Sequence, residues 1–150
     1  MINRFEEFSS GIAAIYKSIQ KIEREQMVRY GLKGPHVQCL VVMSRRPEGV
    51  TAAELCDLCE KDKAAISRTV SELEKEGMLV RGCGKDRVYR TPLKLTEKGQ
   101  QTAKQISQIT ERAVIAAGKG LSEENREIFY AALHLIASNL QTICNEGLRD

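Results

Sequence analysis

The sequence has few histidines and no long apolar run, and each absence argues against a class of function. Its two histidines, His36 and His134, fall on different predicted helices, and no Ser or Cys stands near either of them with a base and an orienting acid. We therefore expect no enzyme and no cofactor. Neither end of the chain has an apolar run that could cross a membrane or serve as a signal peptide, so we expect a cytoplasmic protein with no membrane partner.

The five cysteines lack the arrangement of a metal site. Cys56 and Cys59 have the spacing of half a zinc site, but a structural zinc needs a second pair of ligands, and none follows. At helical spacing we interpret these two as small core residues, and we give Cys39 and Cys144 the same interpretation because they lie on apolar stripes. Free cysteines indicate a reducing compartment.

A glycine-flanked turn at 82–86 carries the fifth cysteine, Cys83. Gly82 and Gly84 fit a tight turn better than a phosphate-binding loop. Because Lys85 and Arg87 stand beside Cys83, exposure and positive charge favour its thiolate form.

Length and composition favour one compact unit. A chain of 150 residues with 42% hydrophobic residues can bury on the order of 70% of its unfolded surface. One domain, or one subunit of an intertwined dimer, is the expectation.

Residues 51–80 contain two helical patterns separated by a short break. Thr51 and Glu54 form the pattern of a capping box at the start of a first helix, which should end near Glu60. Asp62 can cap a second helix. The buried face of this second helix should hold Ile66, Thr69, Val70 and Leu73.

The opposite face of the second helix is small, hydrogen-bonding and cationic. Small side chains allow close approach to a DNA groove, Ser can bond phosphates or base edges, and Arg can bind guanine with two hydrogen bonds. The alternative is an ordinary helical hairpin with a solvated face. The candidate DNA-binding residues are Lys63, Ala64, Ser67, Arg68, Ser71 and Lys75.

A basic hairpin is predicted directly after this helix. Residues 78–81 and 88–95 read as two extended runs around the turn. Residues 78–95 hold five basic residues and one acidic residue, a net charge of +4, whereas the whole chain carries +3. A basic hairpin beside a helix-turn-helix is the layout of a winged helix, in which the wing reaches phosphates or the minor groove. Arg87 is the best wing candidate, followed by Lys85 and Arg90.

These segments resemble the MarR family of bacterial winged-helix regulators. The resemblance lies in four segments: the run from Leu55 through the second helix, EKEGMLVR at 74–81, Asp86-Arg87 in the turn, and LKLTEKG at 93–99. One departure is that Asp86-Arg87 lies one residue farther from Leu95-Thr96 than the family pattern expects. Pro92 also interrupts the returning strand, which predicts a bulge or an edge position near Thr91.

Long amphipathic helices are predicted on both sides of this module. The first carries an apolar stripe and ends near Gly31; a second runs from His36 to about Arg46, and Val50 is expected to pair with the wing. Thr96 can cap the next helix, whose stripe runs from Thr102 to Ala117, and Ser122 can open the last one. The outer stripes comprise Phe5, Phe8, Ile12, Ile15, Ile19 and Ile22, then Phe129, Leu133, Ile136, Leu140 and Ile143.

The predicted fold is therefore mostly α with a small β-hairpin wing, a winged helix-turn-helix flanked by N- and C-terminal dimerisation helices. The winged-helix module spans about 35–99, and the dimerisation helices span about 1–30 and 100–147. A two-fold dimer would bind double-stranded DNA at an inverted repeat.

The resemblance implies a homodimeric repressor that is released from its operator by a small aromatic or anionic effector. It places the effector pocket near Tyr16, Tyr30, His36 and Arg45. Two alternatives remain open: a redox-responsive protein using Cys83, or Cys56 with Cys59, and a winged-helix adaptor that binds proteins. Peroxide-sensing relatives commonly use a cysteine in the first helix, and this chain has none before Cys39.

Overall fold

The computed structural model describes residues 2–82 and 91–148 and confirms the mostly helical fold with a small hairpin. The chain divides into two compact units, Met1–Ala113 and Val114–Asp150. The predicted wing residues Cys83, Lys85, Arg87 and Arg90 lie outside the described residues. The helices are α1 Ile2–Met27, α2 Gly34–Ser44, α3 Ala52–Cys59, α4 Lys63–Lys75, α5 Glu97–Ala117 and α6 Glu123–Glu146; a 3-10 turn spans Val28–Tyr30, and the strands are β1 Leu79–Arg81 and β2 Leu93–Leu95.

Two predicted caps fix the helix-turn-helix. The Thr51 hydroxyl accepts a hydrogen bond from the Glu54 amide at 3.2 Å, and the Glu54 carboxylate accepts one from the Thr51 amide at 2.7 Å. The Asp62 carboxylate accepts a hydrogen bond from the Ala65 amide at 2.8 Å and so caps the start of α4. Between the helices, Glu60 takes a left-handed conformation (φ 51°) that reverses the chain.

The core of the first unit lies where α2, α3, α4, the hairpin and α5 meet. Its side chains come from every one of these elements, so the hairpin and α5 hold the helix-turn-helix in place. The largest fully buried side chains include Leu40, Leu55, Ile66, Val70, Leu73, Leu79, Leu93 and Ile106. All four positions predicted for the inner face of α4 are buried.

The two strands pair antiparallel, with Leu79 opposite Leu95 and Arg81 opposite Leu93. Val50 forms the predicted third-strand contact, exchanging two backbone hydrogen bonds with Leu93 at 3.0 and 2.8 Å. The Pro92 carbonyl accepts from the Gly82 amide at 2.8 Å. Thr91 forms a bend and the described strand begins at Leu93, whereas residues 88–90 of the predicted run lie outside the described residues.

Thr96 and Gly99 join the hairpin to α5. The Thr96 hydroxyl accepts from the Gly99 amide at 3.1 Å, which confirms the predicted cap, and it donates to the Gly77 carbonyl at 2.6 Å. A Cβ atom on Gly99 would lie 2.0 Å from the Met78 carbonyl oxygen. The LTEKG segment is therefore a junction in which threonine caps a helix and glycine admits a neighbouring carbonyl.

The structure corrects several predicted boundaries. Helix α2 begins at Gly34 and ends at Ser44, because Pro35 occupies its first turn and the chain turns at Arg45. Helix α5, by contrast, begins at Glu97, directly after the predicted Thr96 cap and five residues before its apolar stripe.

The interpretation of Cys144 as a core residue is wrong for the single chain, because Cys144 is exposed and α6 buries none of its residues. Within the described ranges, no helix is long and apolar enough to cross a membrane.

Candidate nucleic-acid interface

Helix α4 presents two chemically distinct faces. Its inner face is fixed in the core by Ile66, Thr69, Val70 and Leu73. All six side chains predicted to contact DNA from this helix are exposed on the other side: Lys63, Ala64, Ser67, Arg68, Ser71 and Lys75. A rigid inner face and a polar outer face are what a helix needs to enter a major groove in a fixed orientation.

A hollow of about 360 Å³ lies along one side of α4. Lys63, Ala64 and Ser67 line it together with Arg81 of β1. Arg81 donates from Nε to the Glu74 carboxylate at 3.1 Å, so its guanidinium is held against α4. This side of the helix therefore combines small side chains with cations from two elements.

A second hollow, of about 370 Å³, lies on the other side of α4 and is lined by residues of α2, the inter-helix turn and α4. Three cations, Lys33, Lys61 and Arg68, border it. All three are exposed. Positive groups thus flank the outer face of α4 on both sides, which suits a polyanion running across it.

Buried His36 braces α4 from α2. Its Nδ1 accepts from the Lys33 amide at 3.1 Å, so the ring proton lies on Nε2 and is donated to Glu72 of α4 at 2.5 Å. The Lys33 ammonium lies 3.7 Å from the same carboxylate. These contacts, led by the hydrogen bond from His36, hold the pKa of Glu72 below its ordinary value. The orientation of α4 therefore depends partly on a side chain that the family resemblance places in an effector pocket.

The four residues predicted to form the effector pocket do not meet in either hollow beside α4. His36 lines the hollow beside Arg68, whereas Tyr30 lines a separate hollow of about 440 Å³ with residues of α5. Tyr16 and Arg45 are exposed and line none of these three hollows. Among the residues that the structure describes, no group of three or more His, Cys, Asp or Glu could hold a metal ion.

Comparison with known proteins identifies the fold and relates the helix-turn-helix to one family. A family model described as the MarR family matches residues 30–87, which include the helix-turn-helix. The crystal structure of MarR superimposes with a TM-score of 0.79 at 23% identity, over 92% of this chain and 93% of that one. A MarR transcriptional regulator from Methanosarcina mazei Go1 gives 0.76 at 22% identity, over 92% of each chain.

The fold of this chain is therefore that of the MarR-family structures, and the match to the family model covers its helix-turn-helix. A putative MarR-family transcriptional regulator from Listeria monocytogenes, solved in complex with a 26mer DNA, matches with a TM-score of 0.72 at 23% identity, over 94% of this chain and 96% of that one. A search of curated protein sequences finds no match.

Three cations that lie beside α4 are absent from the candidate DNA-binding residues of the sequence analysis: Lys33, Lys61 and Arg81. Lys33 and Lys61 precede or interrupt the helical patterns, and only the folded chain brings them beside Arg68. Arg81 has a sequence signal, because it is one of the five basic residues of the hairpin segment.

Proposed function

We propose that this chain is a regulator of the MarR family, a sequence-specific DNA-binding transcription regulator in which α4 enters the major groove. The observation that carries the proposal is the outer face of α4, whose six exposed small, hydroxyl and cationic side chains sit on a helix with a fully buried inner face. As a regulator of bacterial type, it acts in the cytoplasm, where the bacterial chromosome lies.

The side chains of α4 divide into those that contact base edges and those that contact the backbone. Arg68 lies at the centre of the outer face, and its guanidinium can donate two hydrogen bonds to a guanine edge. Ala64 and Ser67 permit close approach, and Ser71 bonds a base edge or a phosphate. Lys63 and Lys75 supply electrostatic attraction at the two ends of the helix.

Cations outside α4 extend the contact to the DNA backbone. Lys61 and Lys33 border the hollow beside Arg68, and Arg81 borders the hollow on the opposite side. Their placement on opposite sides of the helix suits contacts with the two phosphate chains that flank a major groove. The residues predicted from the sequence to form a wing, Lys85, Arg87 and Arg90, would contact the flanking phosphates or the minor groove.

A second copy of the chain completes the regulator. Along α6, Phe129, Ile136, Leu140 and Ile143 remain exposed, and α1 separately exposes its own apolar stripe. Apolar stripes of this length need a partner surface. A two-fold homodimer would present two α4 helices to an inverted repeat, with half-sites about one turn of DNA apart.

The homodimer acts as a repressor that a small aromatic or anionic ligand releases. Tyr16, Tyr30, His36 and Arg45 stay the proposed effector residues, contributed by one or both subunits. His36 gives the ligand a route to α4, because it donates directly to Glu72. A ligand that displaces this contact would change the orientation of the recognition helix and weaken DNA binding.

Equilibrium DNA binding across a salt series tests the proposal. Purified protein would be titrated into labelled DNA from its own upstream region and into a scrambled duplex of equal length and composition. We expect tighter binding to the upstream DNA and a steep linear fall of log affinity with log salt, because each neutralised phosphate releases counterions. Weak, sequence-blind binding would contradict the proposal and favour a protein-binding adaptor.

A further inference from the structure

Two buried cysteines of the helix-turn-helix meet in the folded chain. Cys39 of α2 and Cys59, the last residue of α3, place their sulfur atoms 3.9 Å apart and share a hydrogen bond that either thiol can donate. Both residues are almost completely buried in the core. Cys56 belongs to a different surface, because it lines the hollow on the other side of α4.

The thiol pair is close enough to bond. A disulfide joins two sulfurs at about 2.05 Å, so each sulfur would have to move by only about 1 Å from its present position. Cys39 and Cys59 both line the hollow of about 370 Å³ that Lys33, Lys61 and Arg68 border. A small polar oxidant that enters this hollow, on the side of the recognition helix, therefore lies against the pair.

We propose that Cys39 and Cys59 are an oxidisable dithiol that a peroxide converts to an intrachain disulfide, which displaces the turn before α4 and releases DNA. The DNA step rests on the proposed function, whereas the disulfide does not. This modification site differs from the two redox candidates of the sequence analysis, which are Cys83 and the pair Cys56 and Cys59.

The two thiols differ in a way that assigns their roles. The hydrogen bond from Cys39, together with the Lys61 ammonium, holds the pKa of Cys59 below its ordinary value, although burial opposes this. The hydrogen bond with Cys59 and burial raise the pKa of Cys39. Because the thiolate is the nucleophile, Cys59 attacks the oxidant and Cys39 resolves the product.

The reaction proceeds in two balanced steps. The Cys59 thiolate attacks one oxygen of the peroxide, the O–O bond breaks, and the departing oxygen leaves as an alcohol or water after taking up a proton. Cys59 is now a sulfenic acid, oxidised by two electrons, and the peroxide is reduced by two. The Cys39 sulfur then attacks the Cys59 sulfur, the S–S bond forms, and hydroxide leaves with the Cys39 proton as water.

The bond would act on the turn that positions α4. The Cys59 carbonyl already accepts from Gln38 Nε2 of α2 at 3.1 Å, so the end of α3 is tied to α2 at this point. Glu60 follows in the left-handed conformation, and Asp62 caps α4. Pulling Cys59 toward α2 therefore moves the residues that set where α4 begins.

Peptide mapping of the full-length protein tests the disulfide. Wild-type protein would be treated with hydrogen peroxide, alkylated and digested with trypsin, which separates Cys39, on peptide 34–45, from Cys56 and Cys59, on peptide 46–61. We expect a cross-link between these peptides that dithiothreitol reverses. Cys39→Ala and Cys59→Ala should abolish it, while the matched control Cys56→Ala should retain it. Peptides that stay unlinked in wild type, or a link that requires Cys56, would overturn the proposal.

Binding to the upstream DNA tests the regulatory step. Oxidised wild type should lose binding and regain it on reduction, whereas oxidised Cys39→Ala should keep the affinity of its reduced form. A cross-linked wild-type protein that binds DNA as well as the reduced protein would overturn the release of DNA. Failure of the reduced protein to bind would contradict the proposed function instead, and the peptide map would still decide whether the disulfide forms.

Discussion

The Asp62 carboxylate accepts a hydrogen bond from the Ala65 amide at 2.8 Å, and this contact fixes the first turn of α4, the helix that carries Arg68. Asp62→Ala should lower the free energy of unfolding by about 1 kcal/mol, because an amide at the helix start loses its acceptor. Chemical denaturation measures this cost. Asp62→Asn retains a capping oxygen and should stay close to wild type, so equal losses in the two variants would show that capping is not the cause.

Gly99 should tolerate no side chain, because its Cβ position lies against the Met78 carbonyl. Gly99→Ala must push α5 away from the start of β1, and we expect a loss of about 1–3 kcal/mol in the free energy of unfolding. Thermal and denaturant unfolding measure this loss. The neighbouring exposed position provides the control: Gln100→Ala should be almost neutral. A stable Gly99→Ala protein would contradict the described junction.

The contact between His36 and Glu72 should make stability depend on acid pH. Because the folded chain lowers the pKa of Glu72, its stabilising effect is present above the ordinary value of 4.5 and is lost as the pH falls through the lower folded value. Glu72→Gln should therefore be less stable than wild type at neutral pH, with a gap that narrows below about pH 4.5. Melting temperatures across a pH series check this.

The control for this series is Glu127→Gln, which removes an exposed carboxylate of α6. Its stability should follow that of wild type across the same pH range. A gap between Glu72→Gln and wild type that does not change with pH would show that the contact is not governed by ionisation of Glu72.

The apolar stripe of α6 should determine the oligomeric state. Leu140 is 50% exposed in the single chain, and a glutamate there would place a charge in the proposed subunit interface. Leu140→Glu should shift the protein from dimer to monomer in light scattering coupled to gel filtration. Ser138→Glu, two residues away on the opposite side of the helix, should stay dimeric. A wild-type monomer, or a dimer unaffected by Leu140→Glu, would contradict the proposed interface.

Lys61 should contact a phosphate rather than a base. Lys61→Ala should weaken binding to upstream and scrambled DNA alike and reduce the salt slope by about one, because one phosphate would no longer be neutralised. Lys104→Ala removes an equal charge from the exposed side of α5 and should leave the slope unchanged. Weaker binding confined to the upstream sequence would instead assign Lys61 to base recognition.

Local signals in the sequence predict the recognition helix well. Asp62 marks its start, and the spacing of Ile66, Val70 and Leu73 gives its buried face, because both features depend on residues a few positions apart. The first turn of α5 is indicated only by the Thr96 cap, since residues 97–101 carry no apolar stripe. Glycine is required at position 99 because the Met78 carbonyl lies against it, and this contact is visible only in the folded chain.

Contacts between distant residues could not be predicted from patterns. His36 and Glu72 are far apart in sequence, as are Cys39 and Cys59, and nothing in the local composition of either member indicates its partner. The family resemblance assigns His36 to an effector pocket, yet the fold makes it a brace for α4. Lys33 and Lys61 likewise join Arg68 only through the packing of α2 and the turn against α4.

The most direct test of the central claim is the effect of Arg68→Ala on binding to upstream and scrambled DNA at one fixed salt concentration. Arg112→Ala, which removes an exposed arginine near the C-terminal end of α5, is the matched control. If Arg68 contacts a base, its loss should cost about 1–3 kcal/mol on the upstream DNA and much less on the scrambled duplex. Equal affinities for Arg68→Ala, Arg112→Ala and wild type would contradict the assignment of α4 as the recognition helix.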